Sequence, residues 1–211
     1  VALGHTLQMP GAQFLSFGAR NETEVSKVMI KHVLVAVVAL VFAFSCSAAF
    51  AAKIVVEAEH CMGTTKSMKF MNEPNASGGR CIGVELRRPH ATTESGPADD
   101  GHATYKISIP ETGNYQFWGR AWWYDSCGNS FYVMADATEV TASTPYFTDQ
   151  VFRKWHWVAG PVLHLTKGNH LIRIQYREDG AMLDQFILTT TPASRWTPSR
   201  IETETSQYII R

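Results

Sequence analysis

The chain is predicted to be all-β, folded as a two-sheet β-sandwich or jelly roll. Three observations carry this expectation. Helical periodicity is nearly absent, short runs of alternating apolar and polar residues recur, and clusters of turn-forming residues separate those runs. Regular short strands over one domain's length pack as an antiparallel sandwich. No heptad run, low-complexity tract or internal repeat stands out in the 211 residues.

The elements follow in order. Residues 54–59 form a first strand. The cluster Asn75-Ala76-Ser77-Gly78-Gly79 is a turn, and 80–84 continue as a strand. Residues 89–101 read as a long polar loop. Ala103, Tyr105, Ile107 and Ile109 then alternate with Thr104, Lys106 and Ser108, which is a half-buried strand stopped at Pro110. After a turn at 111–114, residues 115–122 place Tyr115, Phe117, Gly119 and Ala121 on one face. Residues 131–136 make another strand. Strands at 155–159 and 162–165 are separated by Gly160-Pro161. Gly168-Asn169 turns the chain into 170–176, where Ile172, Ile174 and Tyr176 face inward, and 182–188 close the domain. The tail 191–211 is less patterned, with Trp196 its one anchor.

Residues 29–51 read as a secretory signal peptide. Lys31 and His32 supply a basic start, 33–44 are uninterruptedly apolar, and Ala49-Phe50-Ala51 fits the small-x-small cleavage rule, with a mature start at Ala52. The apolar run is short for a bilayer span; a retained anchor is the alternative. Residues 1–28 precede a second start at Met29 and read as a translated upstream leader. The domain proper is then 52–190, and the protein is expected to be secreted or periplasmic.

The full chain balances 19 basic against 19 acidic residues. Without the leader and signal, 16 basic face 17 acidic. This balance argues against nucleic acid as a partner, which demands a basic surface. Export favours disulfides. Cys61 and Cys81 flank two early strands and are paired on that ground, leaving Cys127 in a polar loop for an interchain partner. Other pairings, or none, stand open, because sequence does not set connectivity.

Two motifs carry chemistry. In Glu57-Ala58-Glu59, alternate side chains of an extended strand share a face, roughly 7 Å apart. Like charges so placed need a cation, a basic partner or water. Hard oxygen donors of this kind suit calcium; a solvated pair is the plainer reading. The second motif is Trp122-Trp123-Tyr124-Asp125-Ser126-Cys127-Gly128-Asn129-Ser130. Sugar rings pack their apolar faces on aromatic rings while their hydroxyls take polar partners. Trp123, Tyr124, Asp125 and Asn129 are therefore the candidate glycan contacts, and Trp122 is assigned to packing. Trp123 and Tyr124 could equally pack the loop, and Asn129 could close a turn.

The order of these features resembles the calcium-containing jelly-roll carbohydrate-binding modules of families 6 and 35, a galactose-binding-like fold. The matching pieces are Glu57-Ala58-Glu59, Gly78-Gly79-Arg80-Cys81-Ile82-Gly83, Tyr105-Lys106-Ile107-Ser108-Ile109-Pro110, Gly113-Asn114-Tyr115, Arg120-Ala121-Trp122, Gly168-Asn169-His170 and Leu183-Asp184-Gln185-Phe186. The resemblance implies a structural calcium held by Glu57, Glu59 and Asp184, with backbone oxygens near Gly79 and Arg80. It also implies a non-catalytic module that binds a polysaccharide. It departs at Met182, where many relatives carry an Asn that hydrogen-bonds sugar; Met offers no such contact.

A structural or adhesive envelope protein built on the same sandwich is the alternative. Catalysis is not expected: the carboxylates Asp99, Asp100, Asp125, Glu178 and Asp179 accompany no nucleophile elbow, zinc-type histidine spacing or phosphate loop.

Overall fold

The computed structural model describes residues 27, 29–32, 51–86 and 101–210. The chain divides into two units, Val1–Ala49 and Phe50–Arg211, and every described strand belongs to the second. The expected leader and most of the expected signal peptide lie outside the described residues.

Eleven strands are described: β1 (Lys53–Glu57), β2 (Met68–Asn72), β3 (Arg80–Val84), β4 (His102–Ile109), β5 (Gly113–Trp122), β6 (Ser130–Ala135), β7 (Tyr146–Thr148), β8 (His156–Leu165), β9 (Gly168–Tyr176), β10 (Met182–Thr189) and β11 (Ile209–Ile210). They form two antiparallel sheets, one ordered β2-β3-β10-β5-β8 with β1 also on β10, the other β11-β4-β9-β6-β7. This is the expected β-sandwich jelly roll.

The inward faces pack as the alternation requires. Ala103, Tyr105, Ile107 and Ile109 from β4 meet Phe117, Leu183, Phe186 and Leu188 of the opposite sheet in one buried cluster. A chain of rings runs through it: Tyr105 meets Phe186 edge-on at 4.8 Å, Phe186 stacks on Phe117 at 5.5 Å, and Phe117 reaches Phe147 at 5.0 Å. Such pairs add about 0.5–1.5 kcal/mol each beyond their burial.

The break expected at Gly160-Pro161 is a bulge within one continuous strand. The β5–β8 register shifts between Gln116 and Trp118. There the buried Gln116 amide donates to the Gly160 and Phe117 carbonyls, at 2.7 and 2.8 Å. Pro161 is tolerated because β8 is an edge strand.

Two expectations are corrected. The first strand ends at Glu57; Ala58–His60 is a 3₁₀ turn, so Glu59 does not share a strand face with Glu57. Cys61 and Cys81 are not bonded, and both thiols are free. Cys81 is buried within β3, whereas Cys61 is half-buried past the 3₁₀ turn that follows β1, and β1 and β3 are not side-by-side neighbours but lie end to end along one edge of β10. The tail, which has little regular structure beyond a 3₁₀ turn and β11, runs as a strap. Its Trp196 and Ala193 pack on Val55, Trp118 and Ile187 against the outer face of the first sheet. It then crosses to the second sheet, where β11 pairs with β4.

Candidate functional site

The end-to-end meeting of β1 and β3 creates a junction of acids. β1 pairs with β10 from Gln185 to Thr189, and β3 pairs at Met182 and Leu183. Asp184 falls between, where the β10–β5 register also slips. A bulge re-aims the side chain it carries. Asp184 is fully buried; its Oδ1 accepts the Ser77 N–H at 2.7 Å and its Oδ2 pairs with the Arg120 guanidinium. Glu57 Oε1 accepts from Ser77 Oγ at 2.9 Å and from Gln185 Nε2 at 2.7 Å. Gly78 turns the chain past Glu59 at φ 65°, and a Cβ there would stand 3.3 Å from Glu59 Oε1.

Two carboxylate oxygens at this junction, Glu57 Oε2 and Glu59 Oε2, are buried with no hydrogen-bond partner. Burial pushes all three acids up, and Glu59 moves from the ordinary 4.5 to about 7. Desolvation is the leading cause in each case, because it penalises the charged form. Mutual repulsion adds to it for Glu57 and Glu59. Orphaned hard oxygens fit a calcium ion. Among the described residues, however, no three His, Cys, Asp or Glu side chains converge as a ready-made metal cluster. Asp184 is turned toward Arg120, whose charge offsets its own.

The second site residues lie at one end of the sandwich. Trp123 is fully buried. Its ring sits 5.5 Å from Phe147 and 5.9 Å from Phe131, and its Nε1 donates to Asp149 Oδ1 at 3.1 Å. The expectation that Trp123 faces a ligand is thereby corrected: the inward alternation of β5 continues one step past the strand. Asn129 is also buried, its N–H donating to Glu178 Oε2 and its Nδ2 to the Asp149 carbonyl. It closes the loop instead of opening to solvent, a second correction. Asp125 Oδ1 accepts the Cys127 N–H at 2.9 Å and shapes the turn.

Tyr124 remains half-buried at the rim. The absence of side chains at Gly128 and Gly180 leaves room for its Cβ; an added Cβ at Gly180 would lie 2.9 Å away and one at Gly128 3.3 Å away. The Arg153 guanidinium lies 5.1 Å from its ring centre, and Trp122 lies 6.3 Å away. Trp122 ends β5 on the outer face, opposite Met182. Met182 in turn lies opposite Gly83, which is buried, with a Cβ there only 2.9 Å from Met182 Cγ and 2.7 Å from Met71 Sδ. Trp155, just before β8, is half-buried with Arg120 5.2 Å from its ring centre. Trp122, Arg153 and Trp155, which border this rim, were not among the expected glycan contacts. Outward alternation from Trp118 and Arg120 to Trp122 was the available signal.

No family model matches the chain, and no curated protein matches it by sequence. Solved structures do match in fold. A β-(1,4)-mannanase of Podospora anserina that carries a family 35 carbohydrate-binding module matches with a TM-score of 0.50 at 15% identity, over 66% of this chain and 28% of that one. The chain thus spans little more than a quarter of the mannanase's length. A family 35 module from Clostridium thermocellum matches with a TM-score of 0.47 at 15% identity, over 65% of this chain and 97% of the module. The C-terminal family 6 module of a Zobellia galactanivorans laminarinase matches with a TM-score of 0.47 at 14% identity, over 65% and 99%. The mannanase match speaks to the fold alone, a β-sandwich jelly roll.

Proposed function

We propose that this domain is an exported, non-catalytic carbohydrate-binding module whose glycan-contacting surface is the aromatic rim of Trp122, Tyr124 and Trp155. The observation that carries this reading is the half-buried Trp122–Tyr124 pair, 6.3 Å apart at one end of the sandwich. Sugar C–H faces stack on such rings, and Arg153 stands beside Tyr124 as a hydrogen-bond donor to hydroxyls. Met182 forms part of an apolar floor where an amide would otherwise grip a hydroxyl, so stacking carries more of the affinity. Loops on a rigid scaffold are the usual place for such recognition.

A structural calcium is part of the proposal. Glu57 and Glu59 would hold it through their orphaned oxygens, and Asp184 is the third candidate donor. The ion would supply charge neutralisation where β1, β3 and β10 meet. Ser77 and Gln185 orient Glu57 for this, and Arg120 holds Asp184.

The test is a glycan array followed by calorimetry with the polysaccharides it identifies. Binding by the wild type that is lost in Tyr124→Ala and in Trp122→Ala, each still melting cooperatively, is the expected result. Failure to bind any plant, algal or bacterial glycan overturns the reading.

A further inference from the structure

The strap hydrogen-bonds directly to β1 beside the acid junction. Thr205 pairs with Val55 in both directions: its N–H reaches the Val55 carbonyl at 2.9 Å, and its Oγ1 accepts the Val55 N–H at 3.1 Å. One residue earlier, Glu204 Oε1 accepts the Glu57 N–H at 3.1 Å, and both its oxygens lie within 2.9 Å of His60 Nδ1. Gln185 is fully buried between the two regions. Its Nε2 donates at 2.7 Å both to Glu57 Oε1 and to the Glu202 carbonyl, while its Oε1 accepts the Glu202 N–H at 3.0 Å. One side chain thus grips an acid of the junction and the backbone of the strap together.

Docking the strap therefore carries an electrostatic cost. It brings the Glu204 carboxylate onto a junction that already holds Glu57, Glu59 and Asp184. Arg120 faces Asp184, and His60 faces Glu204. A cation at the junction would relieve that repulsion and favour the docked strap. By linkage the docked strap must then favour the cation to the same degree.

We infer that Glu204 is a further member of the ion site, acting through its charge, and that strap docking and calcium binding are coupled through Glu204 and Gln185. This inference rests on the calcium proposal above. Wrapping driven by Trp196 and Ile187 alone would leave strap and ion independent.

The experiment uses the full chain and calcium alone as the probe. Hydrogen–deuterium exchange is followed in strap peptides covering Glu202 and Thr205, in EDTA and in calcium. Calcium affinity is measured by calorimetry for the wild type, Glu204→Gln and Gln185→Ala. Gln at 204 keeps an acceptor for the Glu57 N–H while removing the charge. The expected results are about fivefold slower exchange of the strap in calcium and about fivefold weaker calcium binding in each variant. If calcium raises the melting temperature but leaves strap exchange unchanged, and Glu204→Gln binds as tightly as the wild type, the coupling is overturned and the calcium proposal stands. If calcium changes neither melting nor exchange, both fall.

Discussion

Two adjacent aromatics separate structure from recognition. Trp123 is enclosed by Phe131, Phe147 and His156, whereas Tyr124 stands at the rim. Trp123→Ala should cost about 3–5 kcal/mol in urea unfolding, through lost burial and the cavity left behind. Tyr124→Ala should cost under about 1 kcal/mol, as substitutions off the core usually do, while abolishing glycan binding. Equal destabilisation by the two would contradict this division. The thiols divide in the same way. Burial pushes the Cys81 thiol up to about 12 and also raises Cys61, whereas Cys127 is exposed. Because the thiolate is the nucleophile, brief treatment of the native protein with iodoacetamide should label Cys127 and spare the other two. Peptide mass mapping reads the outcome, and rapid loss of the Cys81 thiol would speak against its buried place in β3.

At the scale of the element, glycines govern how closely the sheets approach. A Cβ at Gly119 would sit 2.4 Å from Phe147 Cε2 of the opposite sheet, and one at Gly160 would sit 3.1 Å from Phe147 Cβ and 2.6 Å from Phe117 Cδ1 on the neighbouring strand. Gly119→Ala and Gly160→Ala should each therefore cost about 1–3 kcal/mol through overpacking. Thermal melts would read this, and an unchanged midpoint would mean that the rings yield freely. The long strands were legible in the sequence because alternation over six or more residues has few other causes: β4, β5 and β9 are those predicted, within a residue or two. β2, β7 and β11 were not legible. β7 and β11 have three and two residues, and the Met-Lys-Phe-Met-Asn of β2 does not alternate cleanly. Extending the β5 alternation by one residue would have placed Trp123 in the core from sequence alone. The grouping of Glu57 and Asp184 was legible only through resemblance. Their meeting depends on β1 and β3 sharing one edge of β10, a long-range pairing that no local pattern encodes.

For the whole molecule, the acid junction ties stability to pH in a direction that calcium should reverse. Without an ion, Glu57, Glu59 and Asp184 all have raised folded-state values, with Glu59 going from 4.5 to about 7. A group whose folded value is raised stabilises the fold fully below its unfolded value and loses that contribution as pH rises through the folded one. The ion-free protein should thus lose stability between about pH 4.5 and about pH 7 from Glu59 alone. The other two acids contribute in the same sense. Calcium takes the ionised carboxylates, so its binding should strengthen over the same interval. An ion bound only to the native state adds about 2.7 kcal/mol at a hundred times its dissociation constant. The difference in melting temperature between calcium and EDTA should therefore be small at pH 5 and widen steadily to pH 8. Glu59→Gln, which cannot ionise, should flatten the EDTA profile and shrink the calcium response together. A calcium effect of equal size at both pH values, or an EDTA profile that rises with pH, would place the ion elsewhere or nowhere, and leave the three acids as a junction held by Arg120, Ser77 and Gln185 alone.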